Sequence, residues 1–350
     1  MSGVWSAEDT TPAAIEAALR SLLASEQQEG ESPMAPARVL NLVAIVDREW
    51  KGEIANRLDG VGRYHPSRTL LIAVEPRRTT IDAWATLEAD RPDDPHELAL
   101  ARERVEVDVG PEHLQGLASI VDPLVVSDLI TVVWSPHGYQ EAVNALLGLA
   151  QVVLLDSLDL PDPRAALQRA GEMAARAYVV DLAWLRSTPW RERIAATFDP
   201  PAWRPALREL KSVTVRHREG SEVSAALVVG WLASRLGWDP DPLEPYGTAL
   251  SARARSNGHE LSVRLQPAGL DVPGLVGMSV ETVSGMTLSL DRGAGGLTAK
   301  RRMADGRESS WVVLGASRGE AGILGEGIRQ ALLRDPTYAP ALAAAAAMLG

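Results

Sequence analysis

The sequence predicts an α/β domain followed by an α+β domain: an N-terminal, largely parallel sheet covered by helices, then a C-terminal domain with helices and an antiparallel sheet. Three observations predict it. Short runs of branched apolar residues, VLNLVAIVD (Val39–Asp47), TLLIAVE (Thr69–Glu75), LITVVW (Leu129–Trp134) and VVLLDS (Val152–Ser157), alternate with amphipathic stretches, the pattern of strands buried on both faces. From Gly247 onward short segments alternate apolar and polar residues, as an antiparallel sheet with one covered face requires. At 350 residues the chain is longer than one core usually reaches.

Each element follows from local chemistry. Thr10 or Thr11 can cap a helix with Pro12 in its first turn, and Ile15, Ala18, Leu19, Leu22 and Leu23 repeat at helical spacing. The polar, Pro/Gly-bearing stretch Ala24–Ala37 has the composition of a linker, so residues 1–37 read as a helix and linker. Residues 38–160 form the α/β domain. In it EWKGEIANRL, PEHLQGLASIVDPLVV and GYQEAVNALLGLA read as helices, and IDAWATLEA with the end of LALARERVEVDV as an antiparallel pair. Residues 161–350 form the α+β domain, helical over 164–238 apart from the strand SVTVRH, stranded over 247–314 and helical again over 319–349.

One hairpin can be specified to its register. In SNGH (Ser256–His259) an Asn-Gly pair separates two alternating segments, the strongest short-range hairpin signal. Pairing Ser256 with His259 places Ala254 opposite Leu261, Ala252 opposite Val263 and Leu250 opposite Leu265, and turns Arg253, Arg255 and Arg264 outward. That arginine face is either a solvated surface or a local partner surface.

Composition excludes several function classes. A formal net charge of −11 disfavours nonspecific binding to nucleic acid or an anionic membrane. The absence of cysteine removes disulfides, thiolate metal sites and cysteine nucleophiles. The N-terminal stretch has no basic and apolar targeting pattern and no apolar run is long enough to span a bilayer, so a cytoplasmic location is expected. The six histidines form no HxH or HExxH pair, and no metal site is expected. GAGGLTAK (Gly293–Lys300) lacks the Gly-Lys-Ser/Thr ending of a phosphate loop, and GILGEG (Gly322–Gly327) follows no βα turn with dinucleotide spacing. With no nucleophile elbow either, neither a cofactor nor a catalytic constellation is expected.

Two stretches remain as candidates. HPSR, with His65, Ser67 and Arg68, lies before the second strand, where a hydroxyl, a guanidinium and backbone N–H groups could order a loop or hold a small anion such as a phosphate. DLAWLRSTPWRERIAATFD (Asp181–Asp199) concentrates tryptophan and arginine, the residue types that dominate interfaces. Thr188 as N-cap and Pro189 after it would start a helix with Trp190, Ile194 and Phe198 on one buried stripe. Trp184, Arg186 and Arg191 belong either to an internal arginine–carboxylate network, with Asp181 a candidate member, or to a binding surface.

The same stretch, together with HPSR upstream, LITVVW at the buried strand, Asp156-Ser157, GWLASRLGW (Gly230–Trp238) and the closing LGEGIRQALLRDPTYAPAL, resembles the OpcA family of glucose-6-phosphate dehydrogenase assembly proteins. The motifs before the closing one occur in order from about Val39 to Trp238, whereas residues from about 240 to 315 match only in character. The resemblance implies a non-catalytic assembly factor or allosteric activator, with glucose-6-phosphate dehydrogenase of the oxidative pentose phosphate pathway as its partner. It would make Trp184, Arg186, Trp190 and Arg191 the signature segment, with Arg253, Arg255 and Arg264 as further contact candidates. Cyanobacterial members are associated with thioredoxin-linked cysteine regulation, which a chain without cysteine cannot use. The competing expectation is a sugar-phosphate or nucleotide sensor, or an enzyme, using the α/β domain with its ligand held near HPSR at the C-terminal side of the sheet.

Overall fold

The computed structural model describes residues 2–29, 34–36, 38–62, 65–90, 99–256, 258–293, 295–314 and 319–350. In chain order these form β1 (Ser2–Ala7), α1 (Pro12–Glu29), β2 (Met34–Pro36), β3 (Leu40–Asp47), α2 (Lys51–Gly62), β4 (Ser67–Val74), β5 (Asp82–Asp90), β6 (Ala99–Val109), α3 (Leu117–Val121), β7 (Thr131–Trp134), α4 (Gln140–Leu146), β8 (Val152–Leu155), α5 (Pro163–Ala174) and β9 (Tyr178–Asp181). There follow α6 (Leu182–Arg186), α7 (Thr188–Phe198), β10 (Leu210–His217), α8 (Glu222–Leu236), β11 (Asp239–Pro240), β12 (Glu244–Tyr246), β13 (Ala249–Ser256), β14 (His259–Pro267), β15 (Leu275–Thr282), β16 (Thr287–Gly293), β17 (Gly296–Arg302), β18 (Glu308–Leu314), α9 (Gly319–Leu333) and α10 (Tyr338–Leu349). They divide into two compact units: Met1–Leu155 with Arg176–Val180 and Leu324–Leu332, and Asp156–Ala175 with Asp181–Ile323 and Leu333–Gly350.

The first unit carries a nine-stranded sheet in the order β1-β5-β6-β4-β3-β7-β8-β9, with β2 added beside β6. Pairs β3–β4, β4–β6, β3–β7 and β7–β8 are parallel, and β3, β4, β7 and β8 are buried along their whole length apart from Asp47 at the end of β3. The chain runs outward from β3 through β4 to β6, then returns to place β7 and β8 on the other side of β3. This is the doubly wound arrangement, with its order reversing between β3 and β7.

Four sequence expectations need correction here. The stretch Ala24–Ala37 is not a plain linker, since α1 continues through Glu29 and Met34–Pro36 pairs parallel with β6. Ser2–Ala7, given no structure by its sequence, pairs antiparallel with β5. The long helix expected over PEHLQGLASIVDPLVV is a five-residue helix between two 3₁₀ turns. Gly116 stands just before it, and Pro123, lacking an N–H, cannot continue it. The stretch from Arg164 to Leu210 is likewise not continuously helical, because Tyr178–Asp181 joins the sheet edge as β9.

The second unit holds a nine-stranded sheet in the order β11-β13-β14-β10-β15-β16-β17-β18, with β12 beside β13. It is antiparallel throughout except for the parallel pair β10–β14. Helix α8 lies against β10 and β14 and packs on α10. Gly230 in α8 is required for that packing: a Cβ there would come within 2.3 Å of the Ala341 carbonyl oxygen. The hairpin register read from SNGH is the observed one, with Ala252 opposite Val263, Ala254 opposite Leu261 and Arg255 opposite Glu260. Gly258 takes φ +83° in the turn, and Asn257 lies outside the described residues.

Candidate functional site

A doubly wound sheet offers its ligand crevice outside the carboxyl ends of the strands at the switch point, here between β3 and β7. Side chains fill that position. Asp47 closes β3; its backbone N–H donates to His137 Nδ1 at 3.0 Å, and the Tyr139 hydroxyl donates to its carboxylate. The Trp50 ring lies 6.0 Å from the His137 ring, centroid to centroid, and is 44% exposed. Behind it, buried Lys51 donates to Asp108 at 2.7 Å, pairs with Glu106 at 3.1 Å and stands 4.3 Å above the Trp84 ring. A dinucleotide crevice needs glycines and open amides there; this one presents a tryptophan and the carboxylates of Asp47, Glu49 and Glu53.

The HPSR residues divide between the approach to β4 and the strand itself. Ser67 and Arg68 are not loop residues but the first two positions of β4, and Arg68 is 4% exposed. Its guanidinium donates to Glu103 at 2.9 Å, directly across the β4–β6 ladder, to Glu16 at 3.0 Å and to the Leu124 carbonyl at 2.9 Å. Arg38 also donates to Glu103. Burial pushes the Glu103 carboxyl up, but hydrogen bonds from Arg38 and Arg68 outweigh it and hold the group below its ordinary range. Ser67 Oγ is 3.0 Å from Thr69 Oγ1. His65 stands apart from these, its pKa lowered by burial and by the Arg329 charge.

The Asp181–Asp199 segment builds a buried polar network in the second unit. Asp181, fully buried at the end of β9, accepts from Ser157 Oγ at 2.6 Å, Ser157 N at 3.1 Å, Ala183 N at 2.9 Å and the Tyr338 hydroxyl at 3.1 Å. Burial first, and the Asp156 charge second, push its carboxyl up to about 6. Arg186 pairs with Asp156 at 2.6 Å. The Arg191 guanidinium lies 3.4 Å from the centroid of the Trp184 ring, donates to Ser187 and Thr188, and approaches Asp335 at 3.8 Å. Trp184 Nε1 donates to Asp335 at 2.9 Å.

Trp190, Ile194 and Phe198 form the buried stripe that their spacing predicts. Thr188 is not the N-cap; it lies inside α7 and its hydroxyl accepts from the Arg191 side chain. Trp184, Trp190 and Arg191 are all under 10% exposed, so as folded they form interior and not contact surface. The arginines find Asp156 and Asp335, while Asp181 is satisfied by Ser157 and Tyr338. Asp335 and Tyr338 were not singled out from sequence because they stand some 150 residues downstream. The one local signal was Asp335-Pro336-Thr337, where Thr337 donates twice to Asp335.

The outward arginines behave differently from one another. Strand registers carry one uncovered row across the sheet from Glu244 through Ser251, Arg264, Thr214, Ser279, Ser289 and Lys300 to Ser310. Arg253 pairs with Glu260 at 3.5 Å, and Arg255 with Asp239 at 3.1 Å and Asp241 at 3.6 Å. Arg264 instead lies 4.9 Å from the centroid of the Tyr246 ring. It borders an open hollow of about 900 Å³ that Lys211, Asp241, Glu244 and Arg253 also line. Among the described residues no group of three His, Asp or Glu side chains could hold a metal ion, and no helix is long and apolar enough to cross a membrane.

Comparison with known proteins bears on both units. Residues 59–172 match the family model described as the glucose-6-phosphate dehydrogenase subunit N-terminal domain, and residues 177–342 the one described as its C-terminal domain. An OxPP cycle protein OpcA of Synechococcus elongatus is 30% identical over 172 residues, which cover 47% of this chain and 38% of that protein. Its counterpart in Nostoc punctiforme is 32% identical over 131 residues, covering 36% of this chain and 28% of that protein. The chain thus aligns with well under half the length of these relatives. Among solved structures, a super-repressor mutant of Gal80p from Saccharomyces cerevisiae superposes with a TM-score of 0.50 at 10% identity, covering 89% of this chain and 94% of that one, a likeness of fold alone.

Proposed function

The chain belongs to the OpcA family of glucose-6-phosphate dehydrogenase assembly proteins, and from that premise we propose that it is a non-catalytic factor that assembles or activates this dehydrogenase by direct contact. The observation that carries the reading is the family match in both halves of the chain. The switch-point crevice supports the non-catalytic part. A nicotinamide dinucleotide would have to displace Trp50, His137 and Tyr139 and set its pyrophosphate among Asp47, Glu49 and Glu53. Arg68 stands at the opposite end of the parallel strands from this crevice, where it is committed to Glu103 and Glu16.

A factor of this kind works by binding one state of its partner more tightly than another, for example an active oligomer over its separated subunits. The test is to purify the chain with its dehydrogenase and measure complex mass and activity together. A stable complex with a raised active fraction is expected, with no glucose 6-phosphate oxidation by the chain alone. Turnover by preparations free of the dehydrogenase would overturn the non-catalytic reading, and two proteins that migrate separately without change in activity would overturn the contact.

A further inference from the structure

Of the three arginines that the SNGH hairpin turns outward, two are neutralised where they stand. Arg253 faces Glu260, and Arg255 faces Asp239 and Asp241. Neighbouring basic residues on the same uncovered face are also matched, Lys211 with Glu281, Arg216 with Asp291, and Lys300 and Arg302 with Glu308. Arg264 differs: among the described residues no carboxylate lies within ion-pair distance of it, and its guanidinium rests on the Tyr246 ring at the border of the hollow. Tyr246 is itself 62% exposed.

Stacking on an aromatic ring restrains a guanidinium while leaving its N–H fork free to donate, so less entropy is lost when a carboxylate arrives. An exposed Tyr–Arg pair beside a concavity also has the composition of an interface anchor. We infer that the Tyr246–Arg264 pair is the anchor of the protein contact, receiving a carboxylate side chain of the dehydrogenase in the hollow. Charge complementarity selects this occupant: among the described residues the neighbouring cations of the face are matched internally, and Arg264 is left to be matched from outside. A second copy of this strongly acidic chain is disfavoured by its overall like charge. The inference rests on the assembly-factor reading and adds where the contact is made.

The experiment measures binding of the full-length chain to the dehydrogenase by calorimetry at two salt concentrations, for the wild type and for Arg264→Glu, Tyr246→Ala and Arg235→Glu. Arg235 makes the same charge change at an exposed position on α8, away from the hollow. Arg264→Glu should weaken binding at least thirtyfold and Tyr246→Ala several-fold, with unchanged melting temperatures, while Arg235→Glu binds as the wild type does. Normal binding by a folded Arg264→Glu protein overturns the inference and leaves the assembly function standing. Absence of binding by the wild type overturns the assembly reading itself. Two outcomes would assign the pair to another occupant and so also overturn the inference: wild-type dimerisation that Arg264→Glu abolishes, or equally tight binding of inorganic phosphate or glucose 6-phosphate that it abolishes.

Discussion

Tyr338, at the start of the last helix, donates its hydroxyl to the carboxylate of Asp181 at 3.1 Å across 157 positions of sequence. Both groups are buried, and Ser157 and Ala183 supply Asp181's other donors. A carboxylate without water can remain charged only when its lone pairs are filled in this way. The hydrogen bonds therefore hold Asp181, Ser157 and Tyr338 together within the second unit.

This carboxylate predicts a pH dependence of defined sign. The folded pKa of Asp181, about 6, lies above its ordinary value of 3.8, so between those limits the folded chain holds a proton that the unfolded chain releases. Its contribution is therefore fully present below about pH 4 and lost as pH rises through about 6. Relative to Asp181→Asn, the wild type should lose about 3 kcal/mol over that interval. Urea unfolding of both proteins at pH 4 and pH 6.5 checks it; equal losses in the two would contradict the assignment.

Glu103 predicts the opposite sign. Its carboxyl is held below the ordinary range, so its contribution is present at neutral pH and disappears on acidification through the folded pKa. Glu103→Gln would remove the carboxylate that Arg38 and Arg68 share, leaving Arg68 only Glu16 as a carboxylate partner, and should cost about 3 kcal/mol at pH 7, with less acid sensitivity remaining. Chemical denaturation at pH 7 and pH 4 measures both effects.

Trp190 is 1% exposed in the stripe with Ile194 and Phe198. Alanine there should cost about 3–5 kcal/mol, a large share of a domain's stability, and the protein should fold poorly or aggregate. Retention of the wild-type melting temperature would place the side chain outside the core.

Arg191 separates stability from contact. Burial lowers its pKa to about 10 despite the Asp335 charge, and its guanidinium covers Trp184. Arg191→Ala removes the guanidinium that covers the buried Trp184 ring and approaches Asp335, and should lower stability by about 2–4 kcal/mol. Below its melting transition the variant should still bind the dehydrogenase normally. A variant that melts like the wild type yet fails to bind would return this segment to the surface.

Local chemistry was sufficient where neighbours in sequence are neighbours in space. The strands β3, β4, β7 and β8 announced themselves as branched apolar runs, and Asn257-Gly258 set the β13–β14 register because a two-residue turn leaves one pairing that buries Ala252, Ala254, Leu261 and Val263 together. Strand β9 was masked by the helical residues on either side of it, since YVVD is too short for its periodicity to outweigh them. Ser2–Ala7 became a strand because β5 offers it a ladder, not through any pattern of its own.

By itself the sequence determined the fold class, the buried stripe of α7, the outward arginines of the hairpin and the absence of any thiol chemistry. Only the tertiary structure decided what each charge meets. HPSR reads as either a loop-ordering or an anion-holding stretch, and the β4–β6 ladder sets Glu103 beside Arg68; the tryptophan–arginine segment reads as either an internal network or a binding surface, and Asp156 and Asp335 lie against Arg186 and Arg191. Whether a guanidinium is a structural strut or an open contact depends on which carboxylate lies within about 4 Å of it. That distance is set by strand order and helix packing between residues far apart in the chain, which no local spacing encodes.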